Sequence, residues 1–439
     1  MANVVPFKGI LYDPDKVHDL SAVMTPPYDV ISEAEQDYFY ECHPRNMIRL
    51  ILGKRNESDT GDSNCHTRAS GFFSQWLSKG ILVQDDSPAF YLTSIEFSVE
   101  DRRITRLGLI VLVELESFEK KVVLPHEKTF SKVTSERLEL MKVTHTNFSP
   151  IFSLYPDPEG TLVSLKDAAS RRTADMDFTD HKGQRHKLWR ITDTAFHARV
   201  SEAMREKRIF IADGHHRYET ALNYRDWLVS NTPDFQPDHP ANYVMMYLSS
   251  MEDPGMIILP AHRMLKTAEP TELDGFVRNA EPYFDIESIP PENGGHGKRK
   301  LLNALRSDTE KHAIGVSVRG VQELYLMTLR PGVMKKLFGN ELPDSLRNLD
   351  VTVLARLVLM KILGFDQARL DNEKLIGYSS IAGDAIDAVA AGKYDITFIL
   401  NPTKIGQVRE NAEKGLIMPR KSTYFYPKVI TGQVINLLG

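Results

Sequence analysis

The segment DGHHR, residues 213–217, has the residue types and spacing of a phosphate-binding turn. The apolar run 209–212 before it predicts a buried strand, and the residues after it predict a helix. A glycine permits a sharp turn between them, and the first turn of a helix offers unpaired N–H groups and the positive end of its dipole. We therefore predict phosphate binding by Gly214, His215, His216 and Arg217. The alternative is a surface turn whose basic side chains are only solvated.

A second polar cluster, His126 and Glu127, follows the apolar run 122–125 and precedes a predicted helix. A carboxylate beside a bound phosphate can take the proton of a hydroxyl nucleophile. We therefore predict acid–base roles for these two residues. The alternative is an ordinary salt-bridged turn.

A third cluster lies near the end of the chain, where Arg420, Lys421 and Lys428 alternate with aromatic residues. Cations interleaved with aromatic rings are typical of sites that hold a nucleotide or a single nucleic-acid strand. The alternative is a terminal strand with a solvated basic face.

The elements that must position these clusters are of both kinds. Ser32 followed by Glu35 predicts a capped helix start, and residues 349–363 predict an apolar helix. Strands are predicted at 90–97, 107–115, 151–155, 209–212, 243–249, 256–259, 313–318, 323–329 and 394–400. The expected fold class is mixed α/β. The proline-rich stretch 232–240 predicts a linker between a part at 1–231 and a part at 241–439.

Length and composition restrict the class of protein. A chain of 439 residues predicts two domains. The net charge of −5 gives no general attraction to nucleic acid or anionic membranes, so we expect neither as a partner. No apolar run approaches the roughly 20 residues that span a bilayer, and the N-terminus lacks the pattern of a signal peptide. With only Cys42 and Cys65, a reducing cytoplasm is expected.

Five motifs together resemble a known family. They are PPYDVI at 26–31, LPHEKTFSK at 124–132, NFSPIFSLY at 147–155, FIADGHHRYETAL at 210–222 and MPRKSTYFYPK at 418–428. They look like the bacterial and archaeal domain-of-unknown-function family 1015. The DGHHR turn also resembles the phosphate loop of the ParB/sulfiredoxin-like superfamily, which includes free-serine kinases, CTP-hydrolysing ParB proteins and sulfiredoxin.

The resemblance implies a ParB/sulfiredoxin-like N-terminal part and an ATP-dependent kinase that uses Mg²⁺. Free L-serine is the implied acceptor and O-phosphoserine the product. Glu127 or Asp213 would then be the base or a Mg²⁺ ligand. A serine site also needs partners for the two charges of the amino acid. Arg137 or Arg49 is expected to bind the carboxylate, and Asp29 the ammonium.

Two other functions stay open at this point. One is a ParB-like nucleotide-binding switch or partner protein with little catalysis. The other is a module associated with nucleic acid, which the acidic composition disfavours.

Overall fold

The structure is a computed structural model that describes residues 2–267, 273, 275–291, 296–307, 311–372 and 374–439. The strands among these residues are β1 Val4–Val5, β2 Ile10–Tyr12, β3 Leu82–Gln84, β4 Phe90–Val99, β5 Arg102–Glu114, β6 Val123–Leu124, β7 Thr146–Asn147, β8 Ile151–Tyr155, β9 Met176–Thr179, β10 Arg185–Ile191, β11 Ile209–Asp213, β12 Tyr243–Ser250, β13 Ile257–Leu259, β14 His262–Leu265, β15 Phe284–Ile289, β16 Ala313–Val318, β17 Leu324–Leu329, β18 Ile376–Ser379, β19 Ile396–Ile399, β20 Tyr424–Tyr426 and β21 Asn436–Leu437.

The α-helices among the same residues are α1 Glu33–Cys42, α2 Ile48–Ile51, α3 Cys65–Ser78, α4 Ser131–Thr144, α5 Thr161–Ala169, α6 Thr194–Arg205, α7 His215–Asn231, α8 Phe276–Ala280, α9 His296–Ser307, α10 Val333–Phe338, α11 Asp344–Arg347, α12 Asp350–Thr352, α13 Gln367–Leu370, α14 Ala382–Ala390 and α15 Ile405–Glu413. Short 3₁₀ helices cover Leu20–Ala22, Tyr28–Val30, Phe118–Lys120 and Pro240–Asn242, and a π-helix covers Val353–Ile362. The mixed α/β class expected from the sequence is confirmed.

The chain forms two compact units. Unit 1 comprises Met1–Ile257 together with Pro427–Gly439, and unit 2 comprises Ile258–Tyr426. The predicted linker at 232–240 lies inside unit 1, because β12, which follows it, pairs with β5 on one side and β8 on the other. A buried inner strand cannot be separated from its sheet, so the division comes later in the chain than the sequence pattern indicates. The C-terminal segment, residues 427–439, also belongs to unit 1 and not to the second part.

A nine-stranded sheet organises unit 1. Its order is β6-β11-β8-β12-β5-β4-β10-β9, and β1 pairs with the C-terminal end of β5. Most neighbours are antiparallel, but β6 runs parallel to β11 and β8 runs parallel to β12. The parallel pairing of β6 with β11 brings the residues that follow both strands to one edge of the sheet.

Apolar side chains on the sheet and on its covering helices form the main core of unit 1. Val111, Ile151, Ile209 and Ile211 are fully buried in it. A second core packs α2 and α3 against the C-terminal segment, where Ile435 is also fully buried. The segment is therefore an integral part of unit 1, although it is distant in sequence.

Local sequence signals correspond closely to the elements. The Ser32 side chain accepts from the N–H of Glu35, whose carboxylate accepts from the N–H of Ser32, so the predicted capping box is present. The predicted strand at 151–155 matches β8 residue for residue. The predicted apolar helix at 349–363 is only in part an α-helix, since Val353–Ile362 adopts a π-helical hydrogen-bond pattern. Hydrophobic periodicity does not separate these two patterns over so short a stretch.

Unit 2 contains a six-stranded sheet in the order β15-β17-β16-β19-β14-β18. The strand pairings among the described residues of this sheet are all antiparallel. α9 and α14 cover it with an apolar core that includes Leu301, Leu305 and Ile386. In the described part of the whole chain, each helix is too short or too polar to cross a bilayer.

Candidate functional site

The site begins where β11 ends and α7 starts. Gly214 is the residue before the helix, and its φ of 96° lies in the left-handed region that side chains other than glycine rarely adopt. A Cβ at this position would come within 2.7 Å of Arg217 Nε. The guanidinium therefore lies against Gly214, and the backbone conformation favours glycine there.

Asp213 holds two cations at this turn. Its Oδ2 accepts from Arg217 Nη2 at 2.6 Å, and its Oδ1 accepts from Lys428 Nζ. All three side chains are almost buried. Burial opposes the charge of Asp213, but the nearby Lys428 and Arg217 outweigh burial and hold the pKa of the carboxyl well below its usual value. Arg217 Nη1 also donates to the carbonyl of Pro150, so its guanidinium is fixed at both ends.

The two histidines of the turn make hydrogen bonds that the sequence analysis does not predict. His215 Nε2 accepts the backbone N–H of His126 at 3.2 Å, and His216 Nε2 accepts that of Phe130 at 2.9 Å. These nitrogens are therefore acceptors, where donors to phosphate were expected. Burial lowers the pKa of His215 well below 6.5, with His126 adding to the effect, so its ring is neutral. The histidines hold the loop 126–130 against the first turn of α7.

The same loop carries the predicted acid–base residues. In the parallel pair of β6 and β11, Leu124 lies opposite Phe210, so Glu127 and Asp213 each follow three residues beyond this register point. Glu127 is partly exposed, whereas His126 is buried with its ring edge-on to His215. Burial lowers the pKa of His126. At this edge of the sheet Glu127 is thus a solvent-accessible carboxylate, and His126 is a neutral packed ring.

Tyr28, in the turn PPYDVI, packs against Arg137 and lines a cavity that Arg217 also lines. The Arg137 guanidinium stacks on the Tyr28 ring at 4.3 Å, and its Nη1 donates to the Ile51 carbonyl at 2.6 Å. Burial and Asp29 raise the pKa of Tyr28 to about 12, while Arg137 and Arg217 oppose the rise. Tyr28, Arg137 and Arg217 line one cavity of about 60 Å³, together with Asn147, Ser149 and Thr220. Tyr28 is not among the predicted site residues. Its position beside Asp29 in the PPYDVI motif is the sequence feature that could have indicated a role in the site.

The other predicted acceptor residues lie in different surroundings. Arg49 donates to the carbonyls of Tyr40 and His43 at 2.8 Å each and stacks on the Tyr40 ring, so it caps the C-terminal end of α1. Asp29 is exposed in the 3₁₀ helix Tyr28–Val30. Of the two predicted arginines, Arg137 is the one that shares a cavity with Arg217.

The predicted C-terminal basic cluster is divided between the two units. Lys428 lies in unit 1, where it pairs with Asp213, while Arg420 and Lys421 lie in unit 2. In unit 2, Arg263 Nη2 donates to the carbonyls of Arg420 and Lys421 at 2.9 and 3.1 Å. Lys428 is therefore the member of this cluster that unit 1 itself contributes to the turn at 213–217.

The residues of this edge fit a magnesium ion only in part. Both oxygens of Asp213 are engaged by cations, whereas the Glu127 side chain is partly exposed to solvent. Within the described ranges no three His, Cys, Asp or Glu side chains are grouped as a metal site. Magnesium in nucleotide sites is commonly bound by one or two carboxylates together with substrate phosphates. Glu127 fits that arrangement once a nucleotide supplies the remaining oxygens.

Comparison with solved structures finds distant similarity. Free serine kinase in complex with AMP is 14% identical, with a TM-score of 0.35, over 74% of this chain and 91% of that one. A conserved hypothetical protein from Pyrococcus furiosus is 14% identical, with a TM-score of 0.34, over 73% and 92%. SbnI with a C-terminal truncation from Staphylococcus aureus is 11% identical, with a TM-score of 0.34, over 74% and 86%.

A comparison with curated proteins finds no match. Comparison with family models does find one. The model of the proteins of unknown function designated DUF1015 matches residues 4–352, and the chain belongs to that family.

Proposed function

We propose that this protein is an ATP-dependent phosphotransferase that acts on a small hydroxyl compound. The observation that carries the proposal is the pairing of β6 with β11. This pairing places Glu127 and the turn at the start of α7 at the same edge of the sheet. In that turn, Asp213 fixes the two cations Arg217 and Lys428. Phosphoryl transfer depends mainly on positioning and on neutralising charge, which are the properties of this arrangement.

The phosphate end of the nucleotide is assigned to the turn at 213–217. Arg217, Lys428 and Asp213 together carry a net single positive charge, and the N–H groups at the start of α7 point out of the helix end. His215 and His216 support this turn by bracing the neighbouring loop. The phosphate-binding roles of Arg420 and Lys421, which belong to unit 2, stay predictions.

Glu127 is assigned as the general base, or as a ligand of Mg²⁺ that bridges the phosphates. Asp213 is assigned a structural role because both of its oxygens are engaged and its pKa is held low. A base is most effective when its pKa lies near the working pH. A neutral, buried His126 then positions Glu127 and does not itself exchange protons with the acceptor.

The acceptor is proposed to be free L-serine, with O-phosphoserine as product. This rests on the resemblance of the DGHHR turn to free-serine kinases. Arg137 is preferred to Arg49 for the carboxylate because it lines the cavity that Arg217 also lines. Asp29, next to Tyr28 in the PPYDVI turn, is assigned to bind the ammonium group of serine. The two free cysteines fit a cytoplasmic location, where these substrates are found.

The test is a product assay. The purified protein is incubated with ATP and Mg²⁺ and with L-serine, D-serine, L-threonine or glycerate, and phosphorylated products are measured by mass spectrometry. We expect phosphoserine from L-serine. A different phosphorylated acceptor would retain the kinase and reject serine. Tight nucleotide binding without any product would reject the kinase and leave a ParB-like nucleotide-binding switch.

A further inference from the structure

Lys428 reaches the site on the C-terminal segment, which returns to unit 1 after the whole of unit 2. We propose that Arg106 is the positioning residue that fixes Lys428 beside Asp213. Arg106 lies on β5 and acts through the backbone of Pro427. The proposal rests on the phosphate-binding role given to Lys428 above.

Arg106 holds the residue just before Lys428. Its side chain is fully buried, and its Nη2 donates to the Pro427 carbonyl at 2.8 Å. The peptide group is planar, so the Pro427 carbonyl oxygen and the Lys428 Cα lie in one rigid plane. Fixing that oxygen therefore fixes the starting point of the Lys428 side chain.

The aromatic residues that support Arg106 also border Asp213. Its guanidinium lies 4.5 Å from the centre of the Phe152 ring, and its Nε donates to Tyr247 Oη at 3.2 Å. Phe152 is the β8 partner of Asp213, and Tyr247 is the β12 partner of Phe152. β8 and β12 therefore lie between the strands of Asp213 and Arg106 in one sheet, and the Pro427–Lys428 segment contacts both side chains.

Burying an arginine is costly unless its N–H groups find hydrogen-bond acceptors. Here Gly255 packs so closely on Arg106 that a Cβ would lie 2.7 Å from the Arg106 Cα. Pairing with Asp213 orders the backbone of Lys428 as well as its long side chain, and each costs conformational entropy. Arg106 fixes the adjacent backbone beforehand and so removes the backbone part of that cost, which is the physical basis of its positioning role.

Thr431 provides a second anchor for the same segment. It exchanges both backbone hydrogen bonds with Thr25, and its hydroxyl lies 2.7 Å from that of Ser149. Thr25 precedes the PPYDVI turn, and Ser149 lies in the NFSP motif. This anchor is three residues beyond Lys428, whereas Arg106 acts on the adjacent peptide, so loss of Arg106 should affect Lys428 without releasing the whole segment.

The first test is chemical labelling of amines, followed by peptide mass spectrometry, in Arg106→Gln and in Arg103→Gln. Arg103 is an exposed arginine of the same strand and serves as the matched control. We expect the labelling rate of Lys428 to rise about tenfold or more in Arg106→Gln, as expected when a charge-assisted hydrogen bond is lost. Lys166, which is fully buried, should label at its original slow rate and so reports that the fold is intact.

The second test is a double-mutant cycle on the dissociation constant for ATP. Arg106→Gln and Lys428→Met should weaken binding by similar factors, and the double variant should bind no more weakly than Lys428→Met alone. If Arg106→Gln does not fold, Arg106→Lys, which keeps the charge and one donor, is measured in the same two ways.

Unchanged labelling of Lys428 would overturn the positioning role, and so would faster labelling of Lys428 and Lys166 alike in a variant that keeps the wild-type melting temperature. Additive losses of ATP affinity would do the same. If the wild-type protein binds no nucleotide, the proposed function fails, while the labelling result still decides the role of Arg106.

Discussion

His215 Nε2 accepts a hydrogen bond from the backbone N–H of His126 at 3.2 Å, so the turn that starts α7 is tied to the loop that carries Glu127. His216 makes the equivalent bond to Phe130 at the far end of that loop. Two motifs 89 residues apart are therefore parts of one structure. The bond from His126 requires an unprotonated Nε2 in His215, which makes this contact sensitive to acid.

Acid should destabilise unit 1 through this contact. The pKa of His215 lies well below 6.5 in the folded protein because of burial and of His126, while His216 and Lys428 act in the same direction and Asp213 opposes them. Below about pH 6.5 the unfolded chain binds a proton that the folded chain does not, so stability falls as the pH decreases. Denaturant titrations between pH 5 and 8 should show this fall, and His215→Gln, which keeps an acceptor oxygen but does not titrate, should show less of it. An equal pH dependence in the variant would exclude His215 as its source.

Glu127→Gln should reduce turnover strongly and leave ATP binding nearly unchanged. The amide keeps the shape of the side chain but cannot take a proton, so we expect turnover with ATP and L-serine to fall by about 10²–10⁴-fold. Calorimetry should give a nearly unchanged dissociation constant for ATP. Glu139→Gln, an exposed glutamate on the following helix α4, is the control and should retain full turnover. Wild-type turnover in Glu127→Gln would exclude its role as base.

Arg217→Ala should weaken ATP binding by about 1.5–3 kcal/mol, the usual contribution of a hydrogen bond to a charged group. The exposed Arg205 on α6 offers a control, and Arg205→Ala should bind as the wild type does. A folded Arg217→Ala protein with wild-type affinity would contradict the assignment of the turn to phosphate. Melting temperatures for both variants distinguish lost binding from lost structure.

Gly214→Ala should be more harmful than Gly160→Ala. Both glycines precede a helix in the left-handed region, with φ of 96° and 67°. Gly160 has open space where a Cβ would lie, so Gly160→Ala should cost only the backbone strain of about 1–2 kcal/mol. Gly214→Ala adds a collision with Arg217 and should lower both the free energy of unfolding and the ATP affinity. Equal losses of stability would show that the contact with Arg217 is unimportant.

Lys166→Met should stabilise the protein at neutral pH. Burial lowers the pKa of Lys166 to about 8, against the attraction of Asp253 and Asp157. Both carboxylates keep other partners, from backbone N–H groups and, for Asp157, Lys207. Because burial disfavours the ammonium of Lys166 and both carboxylates stay partnered, we expect Lys166→Met to be more stable than the wild type at pH 7.

The pH profile provides the check for Lys166. Between about pH 8 and 10.4 the folded wild-type chain has released a proton that the unfolded chain still holds, so wild-type stability should rise with pH in this interval. Lys166→Met should lack that rise. A variant that is less stable than the wild type at pH 7 would show that the ammonium makes a net favourable contribution.

The sequence by itself determined much of the local structure. The apolar run before Asp213 and the glycine after it indicate a strand, a turn and a helix start, and these are observed. Ser32 and Glu35 define the start of α1 in the same way. Such features depend on residues a few positions apart, where backbone geometry and short-range hydrogen bonds decide the outcome.

Tertiary structure alone decided how the motifs combine. The pairing of Lys428 with Asp213 joins residues 215 positions apart, and that of Arg106 with Pro427 joins residues 321 apart. The place of β12 inside the first sheet, which moved the division between the units, is decided in the same way. Periodicity and propensity describe a chain only locally. The order of strands in a sheet, and thus which polar groups meet at its edge, is set by the burial of whole apolar faces far apart in the sequence.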